Sequence, residues 1–354
     1  MTSLVINYYI RTKYNNFWLL NISNLKKYDN NGMYKVYDMW PEIANKSFEN
    51  NLKMTDFQNI THIVFAGMGG SGALGDVFSA ILSKTNIHVS VVKGYLLPRT
   101  VDSKTLIVTT SVSGNTIETL NVLDSAKKMG CKLIAFSSGG KMEEYCKKEN
   151  VNYRKICMYH SPRASFVSFL YSMLKVMKPF LPIQNIEIEE SLKKLKETRD
   201  KISSSNLTNE NPSISLAKWI NGIPLIYYPL GLQSAAVRFK NSFQENSKTH
   251  SMIEDIIETC HNGIVSWEKK SNVQPILLQG EEDYVKTKER WKIIKQYFNE
   301  NNISFKEIYS EKGNILTKLI NLIYVLDYAS IYNAVLNNIE PSSVRSINYV
   351  KKNL

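Results

Sequence analysis

Short apolar runs alternate with amphipathic helical segments along most of this chain. In the first half, the pattern begins at about residue 60 and predicts strands over 62–66, 87–92, 106–108 and 132–137, with helices over 76–83, 117–129 and 141–148. Alternation of this kind is typical of βαβ units, whose parallel sheet is covered by helices on both faces. The chain is therefore predicted to be an α/β protein with mostly parallel sheets flanked by helices.

The same pattern returns in the second half, after predicted helices over 163–177 and 187–201. It predicts strands over 223–228, 276–279 and 304–308, and helices over 232–248, 284–299 and 315–336. A chain of 354 residues that is 43% hydrophobic is long enough for two domains of ordinary size. We predict a first domain over 33–160, connecting helices over 161–212 and a second domain over 213–354.

Residues 1–32 are predicted to be an N-terminal extension of unknown role. The segment is rich in Asn, Tyr and Ile, and it lacks the charged start and long apolar run of a signal peptide. Met33 is a candidate start of translation. An extra peripheral strand or helix is the alternative interpretation of this segment.

Two polar turns follow predicted strands and open predicted helices. One is Gly67-Met68-Gly69-Gly70-Ser71-Gly72, and the other is Ser111-Val112-Ser113-Gly114-Asn115-Thr116. At such points the unpaired backbone N–H groups and the positive end of the helix dipole meet Ser and Thr hydroxyls, and this combination suits a phosphate monoester. Two turns of this type on neighbouring strands would face one crevice. The similar patterns of the two halves make a diverged duplication one interpretation of the two domains, although Pro229-Leu230-Gly231 is all that remains of such a glycine turn in the second half.

Other phosphate-containing ligands fit less well. Gly67, Gly69 and Gly72 match the G-x-G-x-x-G dinucleotide fingerprint, but the next predicted strand ends at Lys93 and not at an acidic residue. The chain has no GxxxxGK[ST] sequence, which disfavours a nucleoside triphosphate. A sugar phosphate is the ligand that fits better.

The charge and residue counts disfavour several other classes of partner. The net charge is +12, but the Lys and Arg residues are scattered over predicted helix faces, so no nucleic-acid partner is predicted. The four cysteines form no CxxC pair, which favours a reducing cytoplasm. The five histidines show no HxH or HExxH spacing, so no metal or other cofactor is predicted. No apolar run reaches the length of a membrane span, so no membrane partner is predicted.

A set of motifs in order resembles the sugar isomerase (SIS) fold, and specifically the archaeal-type bifunctional phosphoglucose/phosphomannose isomerase family. Besides the two turns, the set comprises Ser137–Lys141, Ser161-Pro162-Arg163-Ala164, Glu245-Asn246-Ser247-Lys248 and His261–Glu268. The resemblance runs from about Met33 to the C-terminus and leaves residues 1–32 without a counterpart. The chain departs from the family pattern at Val112, Ser247 and Cys260, where no chemical group is lost.

The resemblance implies a metal-independent homodimeric isomerase that interconverts glucose 6-phosphate and mannose 6-phosphate with fructose 6-phosphate. It implies that the phosphosugar is held by Gly69, Gly70, Ser71, Ser111, Ser113 and Thr116. Glu245 is implied to be the base and Arg163 the cation that steadies the intermediate. His261, supplied by the neighbouring subunit, is implied to open the ring. Lys351 is implied to assist at the hydroxyl oxygens, with the adjacent Lys352 as the alternative.

The chemistry of such a reaction is consistent with these residue types. The proton moves between C2 and C1 through an enediol, so one carboxylate can take it, hold it and return it. Glu245 follows a predicted strand and can serve, although a solvated Glu paired with Lys240 or Lys248 is the alternative. A histidine such as His261 titrates in the range that ring opening needs, and a core histidine is the alternative. Two other functions stay open, namely a non-catalytic sugar-phosphate sensor and an SIS enzyme for another sugar phosphate.

Overall fold

The structure is a computed structural model, and it describes residues 20–354. Residues 1–19 of the predicted extension lie outside the described residues. Helix α1 (Ile22–Tyr28) begins the described chain, and the side chain of Leu25 is buried in the main hydrophobic core. The carboxylate of the buried Asp29 accepts hydrogen bonds from the backbone N–H groups of Met33 and Tyr34, at 2.9 and 2.7 Å. Residues 20–32 are thereby joined to the helix that follows.

The first sheet has five parallel strands in the order β2-β1-β3-β4-β5. Its strands are β1 (His62–Ala66), β2 (His88–Val92), β3 (Thr105–Ser111), β4 (Lys132–Ser137) and β5 (Asn152–Lys155). Three helices cover it, namely α4 (Gly70–Leu82), α5 (Ile117–Lys128) and α6 (Gly140–Lys148). The central strands β1 and β3 are buried along their whole length, as expected of a sheet covered on both faces.

The second sheet has four parallel strands in the order β7-β6-β8-β9. Its strands are β6 (Ile223–Tyr228), β7 (Met252–Asp255), β8 (Val273–Gln279) and β9 (Lys306–Tyr309). Its helices are α10 (Gln233–Ser247), α11 (Ile256–Thr259) and α12 (Val285–Glu300). The predicted fold class, an α/β protein with parallel sheets flanked by helices, is confirmed.

The remaining helices pack between and around the sheets. They are α2 (Met33–Asp38), α3 (Trp40–Phe48), α7 (Phe166–Met177), α8 (Asn185–Ile202), α9 (Pro212–Trp219), α13 (Ile315–Leu336) and α14 (Arg345–Lys352). Among the described residues, α13 is the one helix long and apolar enough to span a membrane. Of its most apolar window, 89% is buried inside the protein. Because α13 packs against α8, α9 and α10, it is the central helix of the core.

Two predicted helix starts differ by three or more residues from those observed. Helix α4 begins at Gly70, six residues earlier than predicted. Its glycines favour the prediction of a loop, but the helix needs them because it lies very close to the sheet. A Cβ at Gly75 would lie 2.9 Å from Cβ of Phe65 on β1, so only glycine fits there. Helix α7 begins at Phe166, three residues later than predicted. Arg163 therefore lies in the turn before α7, where its side chain can reach the second half of the chain.

Candidate active site

The two polar turns lie side by side at the carboxyl edge of the first sheet. Strands β1 and β3 are neighbours, and the chain crosses to opposite sides of the sheet after them. Ligands of open α/β sheets bind at this topological switch point. Ser111 is the last residue of β3, and its Oγ lies 2.8 Å from Oγ1 of Thr116. Oγ of Ser71 accepts a hydrogen bond from the backbone N–H of Val112 at 3.3 Å, so the two turns are in direct contact.

Both turns end at uncapped helix N-termini. Helix α4 follows Gly69, whose φ is +53°, and α5 follows Thr116. Within residues 20–354, no side chain caps either of these helix ends. At α4 the backbone N–H groups of Ser71 and Gly72 donate to the carbonyl of Met68, at 3.0 and 3.3 Å. The uncapped start of α5 is therefore the end that corresponds better to known phosphate sites at helix N-termini. Ser113 is half-buried in the same loop. We refer to Ser71, Ser111, Ser113 and Thr116 with the two helix ends as the hydroxyl cradle.

A third turn, after β4, packs against the hydroxyl cradle and is joined to it by backbone hydrogen bonds. The backbone N–H of Ser138 donates to the carbonyl of Val112 at 3.0 Å, and that of Met142 donates to the carbonyl of Gly114 at 2.9 Å. Gly114 has a φ of +70°, and a Cβ placed on it would lie 1.7 Å from the carbonyl oxygen of Gly139. Only glycine can therefore occupy position 114 while the two turns remain packed together.

Gly114→Ala is expected to weaken binding of a sugar phosphate by at least tenfold, an order-of-magnitude estimate from the roughly 1–2 kcal/mol of left-handed backbone strain with the added collision. Calorimetric titration with fructose 6-phosphate measures the change. Gly130→Ala is a matched control because Gly130 has the same φ of +70° and open space around its Cβ position. Equal affinity in the two variants would contradict the close packing of the turns.

A buried ion pair joins the first half of the chain to the second at the mouth of the crevice. Nη1 of Arg163 lies 3.1 Å from Oε2 of Glu245 on α10. The Arg163 side chain is 5% exposed and that of Glu245 is 26% exposed, so the carboxylate retains access to the crevice. Arg163 also donates to Oδ1 of Asn246 at 2.7 Å, and to the carbonyls of Pro341 and Ser342 at 2.7 and 2.9 Å. These bonds fix the guanidinium group independently of Glu245.

Arg238, which was not predicted as a site residue, helps to hold this ion pair through a contact with the backbone of Arg163. Its Nη2 donates to the backbone carbonyl of Arg163 at 2.7 Å and to Oδ2 of Asp327 at 2.7 Å. A Cβ at Gly70 would lie 3.2 Å from Nη1 of Arg238, so the guanidinium group also contacts the first glycine turn. Burial disfavours its charge, but Asp327 and then Tyr37 outweigh that effect and raise the pKa of Arg238 above its usual value. The spacing of seven residues from Glu245 on one helix places both on the same helix face, which is the pattern that could have indicated Arg238.

Lys248 directly follows α10 and lies near Glu245. Its backbone is left-handed, with a φ of +56°. Its Nζ donates to the carbonyls of Pro341 and Ser343 at 3.2 and 2.7 Å, and also to the carbonyl of Glu245. Burial, with a contribution from the nearby Arg163 cation, lowers the pKa of Lys248. The amine thus bonds backbone carbonyls and not the carboxylate of Glu245, which differs from the surface pairing considered as an alternative.

Two of the candidate residues lie apart from these groups in the single chain. His261 is exposed after α11, where its backbone N–H donates to the carbonyl of Glu258 at 2.9 Å. Lys351 is exposed on α14, a helix that buries none of its side chains. Within the described part of the chain, neither side chain forms a hydrogen bond or ion pair with Arg163 or Glu245. The same described residues contain no group of three His, Cys, Asp or Glu side chains that could hold a metal ion.

Comparisons with known proteins identify the family of the chain. Residues 56–173 match the family described as SIS domain, and residues 209–354 match the family described as bacterial phospho-glucose isomerase C-terminal SIS domain. A bifunctional phosphoglucose/phosphomannose isomerase from Caldicellulosiruptor bescii is 32% identical over 335 residues, which cover 90% of this chain and 97% of that protein. The chain belongs to the bifunctional phosphoglucose/phosphomannose isomerase family. The resemblance on which the sequence analysis relied is confirmed.

Further matches are consistent with membership of the bifunctional phosphoglucose/phosphomannose isomerase family. A protein of the same name from Aquifex aeolicus is 28% identical over 329 residues, covering 91% of this chain and 96% of that protein. Among solved structures, a hypothetical protein from Thermus thermophilus has a TM-score of 0.69 at 14% identity, covering 93% of this chain and 91% of that chain. At such low identity the structural likeness concerns the fold alone.

Proposed function

We propose that this chain is an aldose–ketose isomerase that interconverts glucose 6-phosphate and mannose 6-phosphate with fructose 6-phosphate through an enediol, without a metal ion. The observation that carries the proposal is the ion pair of Arg163 with Glu245, because it joins a cation next to Gly70, at the start of α4, to a carboxylate from the second half of the chain. The names of the relatives from Caldicellulosiruptor bescii and Aquifex aeolicus support the same reaction.

In this proposal the hydroxyl cradle binds the phosphate. Ser111, Ser113 and Thr116 donate hydroxyl hydrogen bonds to its oxygens. Gly69, Gly70 and Ser71 bring the first turn of α4 close to the phosphosugar, and the dipole of that helix adds to the positive potential. The phosphate holds the sugar in one orientation, so that C1 and C2 lie toward α10.

Glu245 then removes the C2 proton and returns it to C1, and the reverse reaction uses the same group. Negative charge builds on the enediolate oxygens as the proton leaves. Arg163 stabilises that charge more strongly than it stabilises the neutral substrate, so it lowers the barrier. Its bonds to Asn246, Pro341 and Ser342 hold the guanidinium group in place during the reaction, which reduces the cost of reorganisation.

The cyclic substrate must first open, and for this step we propose a homodimer in which His261 comes from the partner subunit. Two groups of exposed apolar side chains support a subunit interface. The neighbouring segment exposes apolar side chains, with Ile257 37% and Val265 58% exposed. Helix α14 is amphipathic, and its apolar Tyr349 and Val350 are 72% and 56% exposed. Lys351 on that helix, or the adjacent Lys352, assists at the hydroxyl oxygens.

A cytoplasmic location and a part in glycolysis and gluconeogenesis complete the proposal. All four cysteines are free thiols in the structure, as expected of a protein in a reducing compartment. The two domains are proposed to be residues 33–160 and 213–354, joined by the helices of 161–212, with residues 1–32 as an extension of unknown role.

A coupled assay tests the function. Purified protein is given fructose 6-phosphate in the presence of EDTA, and the formation of glucose 6-phosphate and of mannose 6-phosphate is measured on the same preparation. Turnover of both is expected. Binding of fructose 6-phosphate without turnover would indicate a sensor instead, and turnover only of a different sugar phosphate would indicate another SIS enzyme.

A further inference from the structure

The second sheet repeats the strand order of the first, so the molecule contains a second carboxyl-edge cleft. Strand β6 takes the place of β1, and β8 takes the place of β3. The helices that follow β1 and β6, α4 and α10, pack against each other. The second cleft lies between the loops that follow β6, β8 and β9 and the outer face of α4, and it has a volume of about 860 Å³. It therefore occupies the topological switch point of the second sheet, where α/β proteins bind ligands.

In the second cleft, an acidic loop takes the position that the hydroxyl loop has in the first cleft. The loop after β8 reads Gly280-Glu281-Glu282-Asp283-Tyr284, in contrast to the hydroxyl-rich loop after β3. The carboxylate of Asp283 accepts hydrogen bonds from the backbone N–H of Gly280 at 3.0 Å and from Nε1 of Trp291 at 3.1 Å. The carboxylate of Asp283 thus already accepts the hydrogen bonds of these two donors. A phosphate dianion would meet like charge at this position and lose free energy.

Two buried hydroxyls in the second cleft have no partner within residues 20–354. Oγ of Ser234 and Oγ of Ser310 line the cleft, and these residues are 2% and 7% exposed. Ser234 is the second residue of α10, as Ser71 is the second residue of α4, but Ser71 accepts a backbone N–H and Ser234 does not. A buried hydroxyl without a partner is costly. A ligand that donates to these oxygens and accepts from them would remove that cost.

The mouth of the second cleft offers an aromatic face and further acceptors. Tyr284, which is 71% exposed, lines the cleft together with Glu282, whose carboxylate pairs with Lys318. Carboxylates and hydroxyls can bond the OH groups of a polyol, and an aromatic ring can cover its C–H face. From this combination we propose that the second cleft binds an uncharged polyhydroxylated molecule, such as a hexose, and not a phosphate ester.

Saturation-transfer NMR with D-glucose and D-mannose on the intact protein tests this site. Glucitol 6-phosphate is added first to saturate the hydroxyl cradle, and saturable hexose binding is expected to persist. Tyr284→Ala is expected to weaken the hexose by about tenfold through loss of the ring contact, whereas Tyr95→Ala, at a 43% exposed tyrosine outside the second cleft, leaves it unchanged.

Ser310→Ala provides a second, independent readout. Because Oγ of Ser310 has no partner in the described chain, its removal is expected to leave the melting temperature unchanged or higher while it weakens hexose binding. The proposal is overturned if the hexose signal is absent or disappears when glucitol 6-phosphate is added. It is also overturned if Tyr284→Ala and Ser310→Ala both bind hexose like the unaltered protein. Isomerase activity enters none of these readouts. The addition of glucitol 6-phosphate depends on the proposed binding of sugar phosphates by the hydroxyl cradle, whereas the comparison of Tyr284→Ala and Ser310→Ala with Tyr95→Ala does not, so failure of the proposed function and failure of this proposal can be distinguished.

Discussion

Replacement of Glu245 by glutamine is expected to abolish isomerisation and to preserve the binding of sugar phosphates. Glutamine has nearly the same shape, and its amide oxygen can still accept a hydrogen bond from Arg163, but it cannot take a proton from C2. General base catalysis contributes roughly 10²–10⁴ in rate, so kcat is expected to fall by at least that factor. The hydroxyl cradle is untouched, so the dissociation constant of glucitol 6-phosphate is expected to stay within about twofold of that of the unaltered protein.

The measurement has two parts. The coupled assay gives kcat, and exchange of the C2 hydrogen with D₂O, followed by NMR, reports proton abstraction itself. Glu289→Gln is the matched control, because Glu289 is an exposed glutamate that pairs with Lys286 on α12. Turnover of Glu245→Gln at the rate of the unaltered protein would remove the assigned base. If Glu245→Gln lost both glucitol 6-phosphate binding and turnover, Glu245 would instead be shown to support the fold of the site.

The elements that could be predicted from the sequence are those whose local pattern and tertiary environment agree. The core helix Ile315–Leu336 and the strand Ile223–Tyr228 were predicted with their observed ends, because their apolar runs are bounded by polar or turn residues. Of the four edge strands, β2 and β9 were predicted, whereas β5 and β7 were missed. Strand β7 is short and half-exposed, so its residues Met252–Asp255 carry neither a long apolar run nor a clean alternation. Helix α14 was missed for a similar reason, since it is short and packs its apolar side against nothing in the described chain.

The site residues likewise include a group that could be predicted from the sequence and a group that could not. The hydroxyl cradle could be predicted because its residues are contiguous and the turn chemistry is local. The network of Arg238 could not, because its partners Asp327 and Tyr37 are 89 and 201 positions away. In a sequence, an arginine on an amphipathic helix such as α10 looks like a solvated surface charge, and an aspartate on the apolar helix α13 does not indicate which cation it pairs with. Only the packing of α10 against α13 brings them together in the core.

Removal of one charge from the Arg238 network is expected to lower the free energy of unfolding strongly, because the charges of this network are deeply buried. Arg238 and Asp327 are 2% and 0% exposed, and both Nε and Nη2 of Arg238 donate to Oδ2 of Asp327, at 3.1 and 2.7 Å. The hydroxyl of Tyr37 donates to the same oxygen at 3.0 Å. Asp327→Ala leaves a buried guanidinium group without its counter-ion. The expected loss is about 3–5 kcal/mol in the free energy of unfolding, measured by denaturant titration.

A double variant separates stability from positioning. Arg238→Met with Asp327→Leu removes both charges and keeps apolar volume, so it is expected to recover most of the stability that either single variant loses. Its kcat should nevertheless remain reduced, because the carbonyl of Arg163 loses the donor that fixes it beside Glu245 and Gly70. Tyr37→Phe, which removes one hydroxyl only, is the control and should cost about 1 kcal/mol with kcat nearly unchanged. A stable double variant with full kcat would limit Arg238 to a structural role, since the position of Arg163 would then depend on its bonds to Asn246, Pro341 and Ser342 alone.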